Sequence, residues 1–272
     1  MLEPLPDTAR DGIGSGRPGA CPDGEPKGVR VENGILTDPA LNQLVYNALS
    51  FGTAVMLGAF VYFLTQINSV DKKYRQSVAA SAVVVGIAGY HYFRIFSAWA
   101  DGIVNEGYRY ADWLITVPLL VIELLIVLGL TGDRRKQLMR TLVPATALMI
   151  ALGYPGEISS DVTTKWTFWV LSMLPYLYIL RTLWGELKAA RTRESGEIAG
   201  AISKATQVLL VTWLFCPIVY LFPVFLANSS QSTLEVAEAA RQVGYTIADI
   251  TAKAFYGLMV LGIARARSGE SH

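Results

Sequence analysis

Seven apolar stretches run through this chain, at about 42–67, 75–99, 106–130, 137–154, 163–187, 202–227 and 236–264. Each approaches or exceeds the roughly 20 residues that one helix needs to cross about 30 Å of hydrocarbon. Lipid offers backbone amides and carbonyls no partners, so such segments must be helical, and open sheet edges are excluded. Composition agrees: 52% of the 272 residues are hydrophobic and 17% are charged, against about 25% charged in ordinary globular chains. A formal net charge of +1 gives no footing for nucleic acid. Cys21 and Cys216 make neither a disulfide framework nor a metal cluster, so no metal is expected. The expected fold is an all-α membrane protein, a seven-transmembrane helix bundle.

Around this core, residues 1–38 are rich in Gly, Pro, Asp and Arg and lack the apolar segment of a signal peptide. They read as a disordered N-terminal tail. Residues 39–266 form the bundle, and 267–272 a short C-terminal tail. The loops set an orientation. Lys72, Lys73 and Arg75, then Arg134, Arg135, Lys136 and Arg140, then Lys188, Arg191, Arg193 and Lys204, then Arg265 and Arg267 mark one side. Asp101, Glu106, Glu157, Asp161, Glu235 and Glu238 mark the other. Basic loops face the cytoplasm, so the N-terminus is expected outside and the C-terminus inside.

The residues that lipid should exclude carry the chemistry. Each ionisable side chain within a span costs at least about 2.5–3.5 kcal/mol and needs a partner or a task. In the third span Arg109, Asp112, Thr116 and Glu123 share one helical face. Glu123 lies eleven residues past Asp112, roughly 16 Å along the axis. This stripe reads as an outer Arg–Asp pair followed by an isolated inner carboxyl group. In the seventh span Asp249 and Lys253 stand four apart, neighbours on one face. A lysine at mid-span is suited to Schiff-base chemistry. His91 lies within the second span beside Tyr92. Taken singly, Asp249–Lys253 could be a structural ion pair, His91 a packing residue, Glu123 a hydrogen-bonded acid, and Trp113, Trp213, Tyr220 and Tyr245 ordinary core. A transporter or receptor that binds its substrate at the Lys–Asp pair also remains open. Their joint presence in apolar helices favours function.

Five motifs carry a family resemblance: Gly-Tyr-His-Tyr at 89–92, Arg-Tyr-Ala-Asp-Trp-Leu at 109–114, Gly-Tyr-Pro-Gly-Glu at 153–157, Trp213 with Pro217 and Tyr220, and Ala-Asp-Ile-Thr-Ala-Lys at 248–253. Over about 42–266 the chain resembles type I microbial rhodopsins of the proteorhodopsin and xanthorhodopsin branch. The resemblance implies all-trans retinal on Lys253 as a protonated Schiff base. Asp112 would be counterion and first proton acceptor, Asp249 second counterion, and Glu123 the cytoplasmic proton donor. His91 would hydrogen-bond Asp112, and Trp113, Trp213, Tyr220 and Tyr245, with Pro217, would wall the chromophore.

It further implies a light-driven ion transporter rather than an enzyme, multi-pass in the cell's inner (plasma) membrane and commonly a homo-oligomer. Asp112, Thr116 and Glu123 match the proton-pump triplet, which implies outward proton transport; a sensory photoreceptor or a pump for another ion is the alternative. Leu120 stands where green-absorbing members carry Leu. Trp169 stands where carotenoid-binding members carry Gly, so no carotenoid antenna is expected. Cys216 departs from the Tyr of many relatives, which leaves Asp249 to lean on Tyr92 or water.

Overall fold

The computed structural model describes residues 36–193 and 196–269. Within them the order is α1 (Pro39–Gln66), α2 (Arg75–Ala100), α3 (Gly107–Val127), α4 (Gly132–Ile158), α5 (Val162–Arg193) and α6 (Gly196–Tyr220). A short α7 (Phe222–Phe225) precedes α8 (Gln231–Asp249), a π-helical turn (Ile250–Phe255) and α9 (Tyr256–Gly269). Together α8, the π turn and α9 make one continuous pass, so the chain is a seven-helix bundle with no strand among the described residues. Six of the passes are long and apolar enough to cross a membrane. The remaining one, α5, carries Lys165, Arg181, Glu186 and Lys188, and packs along α4.

The tail assigned to 1–38 lies, up to residue 35, outside the described residues. Leu36 is buried, Thr37 Oγ1 donates to Glu235 Oε1 at 2.5 Å, and the Asp38 amide donates to Glu235 Oε2 at 3.1 Å. Asp38 then caps α1, its Oδ1 accepting from the amides of Ala40 and Leu41, with Pro39 at the first helical position.

The structure differs from the sequence reading in three respects: the ends of α4 and α5, the course of the sixth pass, and the burial of four carboxylates. Helix α4 begins at Gly132 rather than 137, and α5 continues to Arg193. Arg134, Arg135, Lys136, Arg140, Lys188, Arg191 and Arg193 are therefore helical rather than loop residues. Lys and Arg are good helix formers, and a helix projecting into water no longer needs apolar side chains. The sixth pass breaks at Leu221, where Pro223 prevents unbroken continuation and starts α7. The third difference has functional weight: Glu106, Glu157, Glu235 and Glu238, read as loop carboxylates, are buried.

The outer surface of the bundle is apolar. Phe51, Leu174, Val211 and Phe225 are 63–68% exposed, which water would not tolerate over so wide an area but hydrocarbon requires. The ionisable side chains midway along the third and seventh passes face inward, where Arg109, Asp112, Glu123, Asp249 and Lys253 are buried together with Thr116. The protein is therefore a multi-pass plasma-membrane protein with its charges along the bundle axis.

Candidate functional site

The stripe on α3 is built as its spacing requires: Arg109, Asp112, Thr116 and Glu123 are 0–1% exposed. Lys253 reaches this stripe from the seventh pass. The π turn widens the backbone at Ile250–Phe255, a local irregularity that often marks functional positions. Lys253 Nζ is ion-paired with Asp112 Oδ2 and lies 2.8 Å from Asp249 Oδ1. One buried amine is thus held between two buried carboxylates, an arrangement tolerable in apolar surroundings because each charge meets its opposite.

Asp249 has further donors. The Tyr92 hydroxyl donates to its Oδ2 at 2.8 Å, and Trp113 Nε1 donates to its Oδ1 at 3.0 Å. Tyr92 thus fills the role left open by Cys216, whose Sγ bonds the Thr212 carbonyl at 3.5 Å. The Arg109–Asp112 pair expected on α3 does not form. Arg109 Nη1 approaches Asp249 Oδ2 at 3.9 Å and the Tyr92 hydroxyl at 3.3 Å, while Nε donates to Glu106 Oε2 at 3.3 Å. Lys253 has taken Asp112, and the longer guanidinium turns toward the Glu106 end. Thr116 Oγ1 donates to the Asp112 backbone carbonyl at 2.9 Å, not to its carboxylate. The expected bond from His91 to Asp112 is also absent: His91 Nδ1 and Asp112 Oδ1 each lack a partner among the described residues. The His91 ring packs edge-on against Tyr90, in a groove with Leu57, Phe60 and Ile115 on the lipid side of α2.

Beside Lys253 lies a cavity whose lining is nearly all apolar. Trp113, Trp213, Tyr220 and Tyr245 wall it, with Leu120 and Pro217. Sequence reading did not single out Tyr110, Met149, Met173 and Tyr176, which also line it; their signal is no more than an aromatic or methionine on an inward helical face. The Trp169 indole closes one flank and donates from Nε1 to the Pro217 carbonyl at 3.0 Å. Gly156 is needed for this shape, since a Cβ there would sit 2.3 Å from the Tyr220 hydroxyl. An apolar cavity ending at one buried lysine fits an elongated apolar carbonyl compound condensed with Lys253 Nζ.

At the Glu106 end, the buried carboxylates form a network that spacing alone did not reveal. Arg241 of α8 pairs with Glu157 of α4, with Glu238 at 2.7 Å and with Glu106 at 3.3 Å. Gln242 Nε2 donates to Glu106 at 2.5 Å and to Glu238 at 2.9 Å, and Arg109 Nη2 donates to Gln242 Oε1 at 2.7 Å. The hydroxyls of Tyr110 and Tyr245 both donate to Glu157 Oε2, at 3.0 and 3.1 Å, and so join the network to the cavity wall. A signal was present in Glu238, Arg241 and Gln242, which share a helical face at i, i+3 and i+4.

At the opposite end Glu123 is 0% exposed; Ser81 Oγ donates to its Oε1, while Oε2 has no partner among the described residues. No cation is paired with it among those residues.

Comparison with known proteins places this geometry. Residues 44–266 match the family model described as bacteriorhodopsin-like protein. The green-light absorbing proteorhodopsin of Gamma-proteobacterium EBAC31A08 is 28% identical over 230 residues, covering 83% of this chain and 89% of that protein. Archaerhodopsin-2 of Halobacterium sp. (strain aus-2) is 30% identical over 233 residues, 82% of this chain and 86% of that protein. Among solved structures, xanthorhodopsin, described as a light-driven ion pump with dual chromophore, is 41% identical at a TM-score of 0.78, covering 86% of this chain and 96% of that one.

Proposed function

The chain belongs to the bacteriorhodopsin-like family of retinal proteins, and from that premise we propose that it is a light-driven outward proton pump. Retinal held by Lys253 would supply the absorption of light and a protonated nitrogen at that position.

The rest is the work of this chain's residues. Asp112 and Asp249 balance the positive nitrogen of Lys253. Asp249 is fixed by Tyr92, Trp113 and the nearby Arg109, so three groups hold its negative charge. Among the described residues Asp112 has no such neutral donors on its carboxylate, and its Oδ1 has no partner. Asp112 is therefore the group better placed to take a proton. Glu123 is fully buried and pairs with no cation among the described residues, and a carboxyl group so placed costs least as the neutral acid. It holds a proton to return to Lys253 Nζ from the other side. The single observation that carries this reading is the position of the two carboxyl groups on one buried face of α3, with Lys253 bonded to the first.

Direction follows from orientation. The helix ends nearest Glu123 carry Lys72, Arg134, Arg135, Lys188 and Arg267, which argues for a cytoplasmic position of that end. Acceptance on the Glu106 side and return from the Glu123 side move protons outward. The Arg109–Glu106–Arg241 network then lies between Asp112 and the exterior, and we assign the exit path to it. Leu120 on the cavity wall supports green absorption, and the Trp169 indole on its flank argues against a carotenoid antenna at that wall.

Light-induced pH change in weakly buffered, retinal-fed cells expressing the full chain is the test. Acidification that is abolished by a protonophore and by Lys253→Ala is expected. A coloured sample without a pH change would overturn pumping in favour of signalling. Alkalinisation enhanced by the protonophore would overturn the choice of ion.

A further inference from the structure

The lipid-facing side of α5 holds a basic residue that the bundle leaves unpaired. Arg181 is exposed, and among the described residues no carboxylate lies within ion-pair distance of it or of Lys188. Nearby Glu186 is buried and occupied by Arg134. Ionisable residues in membrane helices nearly always face the interior or pair with one another. Arg181 does neither.

Its depth makes this a real demand. At about 1.5 Å per residue, Arg181 lies about 28 Å along α5 from Val162, and Trp166 about 6 Å. If an interfacial Trp166 marks one edge of a hydrocarbon core of about 30 Å, Arg181 falls several ångströms inside the other edge. Trp184 then sits near that edge and Lys188 beyond it. Arg181 and Lys188 are seven residues apart, about 10 Å, on one face of the helix. The guanidinium reaches the headgroup level only by extending toward Lys188.

The same face lines a groove of about 850 Å³ between α5 and α6. Its walls are apolar, with Leu210, Val211 and Leu214 on α6 opposite Trp184. Val211 and Leu214 are well exposed, as acyl-chain contacts must be. Gly185 lines the groove too, and a Cβ there would meet nothing within 4 Å. Apolar walls deeper in the membrane, and two unpaired cations with Gln207 where the headgroups begin, form a complementary surface for one kind of molecule.

We propose that this groove binds an anionic phospholipid, its acyl chain along α6 and its phosphate between Arg181 and Lys188. Phosphate is the anion that this depth of membrane supplies, and basic pockets between helices are suited to it. The site is separate from the retinal cavity and does not rest on the direction or ion of transport.

The test uses the full chain loaded with retinal, purified in mild detergent and exposed to equal amounts of dioleoylphosphatidylglycerol and dioleoylphosphatidylcholine, with retained lipid read by native mass spectrometry. Preferential retention of phosphatidylglycerol is expected, falling about fivefold for each of Arg181→Gln and Lys188→Gln. Gly185→Leu should fill the groove and remove the retained lipid with both cations intact. Because it replaces a helical glycine, it should leave the visible band and thermal stability intact. Lys136→Gln, at an exposed basic site elsewhere, should change nothing. Equal retention of the two lipids, retention insensitive to Gly185→Leu, or an equal loss with Lys136→Gln would overturn the proposal. Displacement of the lipid by millimolar inorganic phosphate would overturn the choice of a lipid as occupant. A change in oligomeric state on Gly185→Leu without loss of lipid would assign the groove to a second copy of the chain.

Discussion

The two ends of α3 hold their carboxyl groups in opposite ways. Glu106 is buried among Arg109, Arg241 and Gln242, and its neighbours Glu157 and Glu238 share the same Arg241. Glu123 is equally buried, but its one hydrogen-bond donor is Ser81, and half of its carboxyl group has no partner among the described residues. A carboxylate among cations is stabilised as a charge and fixes the helices that contribute to it. A carboxyl group without a cation is held as a neutral acid and can give its proton away. Burial is nearly the same at both ends. The difference lies in what the neighbouring helices present: guanidinium and amide groups at one end, and a serine hydroxyl at the other.

The comparison is broken most directly at Glu123. Glu123→Gln removes the stored proton and should slow the light-triggered recovery of the visible band by about 10² or more, the usual scale of a positioned acid. Thermal stability should barely move, because a neutral amide replaces a neutral acid. Flash photolysis alongside a thermal melt would check both halves, and an unchanged recovery would remove Glu123 from the path.

Arg241→Gln attacks the other end. It leaves three buried carboxylates short of their shared cation, and loss of one partner from a buried pair costs about 3–5 kcal/mol. The expected outcome is a large drop in the temperature at which colour is lost, with Glu123 still returning its proton at the normal rate. A melt unchanged by this substitution would show that the network does not fix the helix ends. Smallest of the three is Ser81→Ala. Glu123 would lose its one hydrogen bond, worth about 1 kcal/mol, which corresponds to about a fivefold change in recovery rate. Because Ser81 donates this bond, it favours the carboxylate left behind after transfer, so without it the recovery should become slower; a faster recovery would mean that Ser81 instead accepts the proton of Glu123.

Much of this was open to a reading of residues alone. The seven passes followed from apolar length, and the stripe of Arg109, Asp112, Thr116 and Glu123 from helical periodicity, since both depend on one chain segment and its solvent. The i, i+4 relation of Asp249 and Lys253 was equally local, and survives the π turn at a contact of 2.8 Å. The aromatic wall of Trp113, Trp213, Tyr220 and Tyr245 followed from the family motifs.

What the sequence could not decide was which helix faces meet, because a partner on another helix leaves no mark in local spacing. Glu106, Glu157 and Glu238 read as loop charges, and the fold buried them around Arg241. Arg109 was matched to Asp112 by proximity along α3, yet its closest partners come from α2, α8 and its own first turn. His91 was given to Asp112, but Lys253 holds that carboxylate and His91 packs toward Tyr90. The chain's own pattern thus determined where charge enters the membrane. Tertiary packing determined how each charge is balanced, because Coulomb energy in a dry interior depends on distances of a few ångströms between groups far apart in sequence.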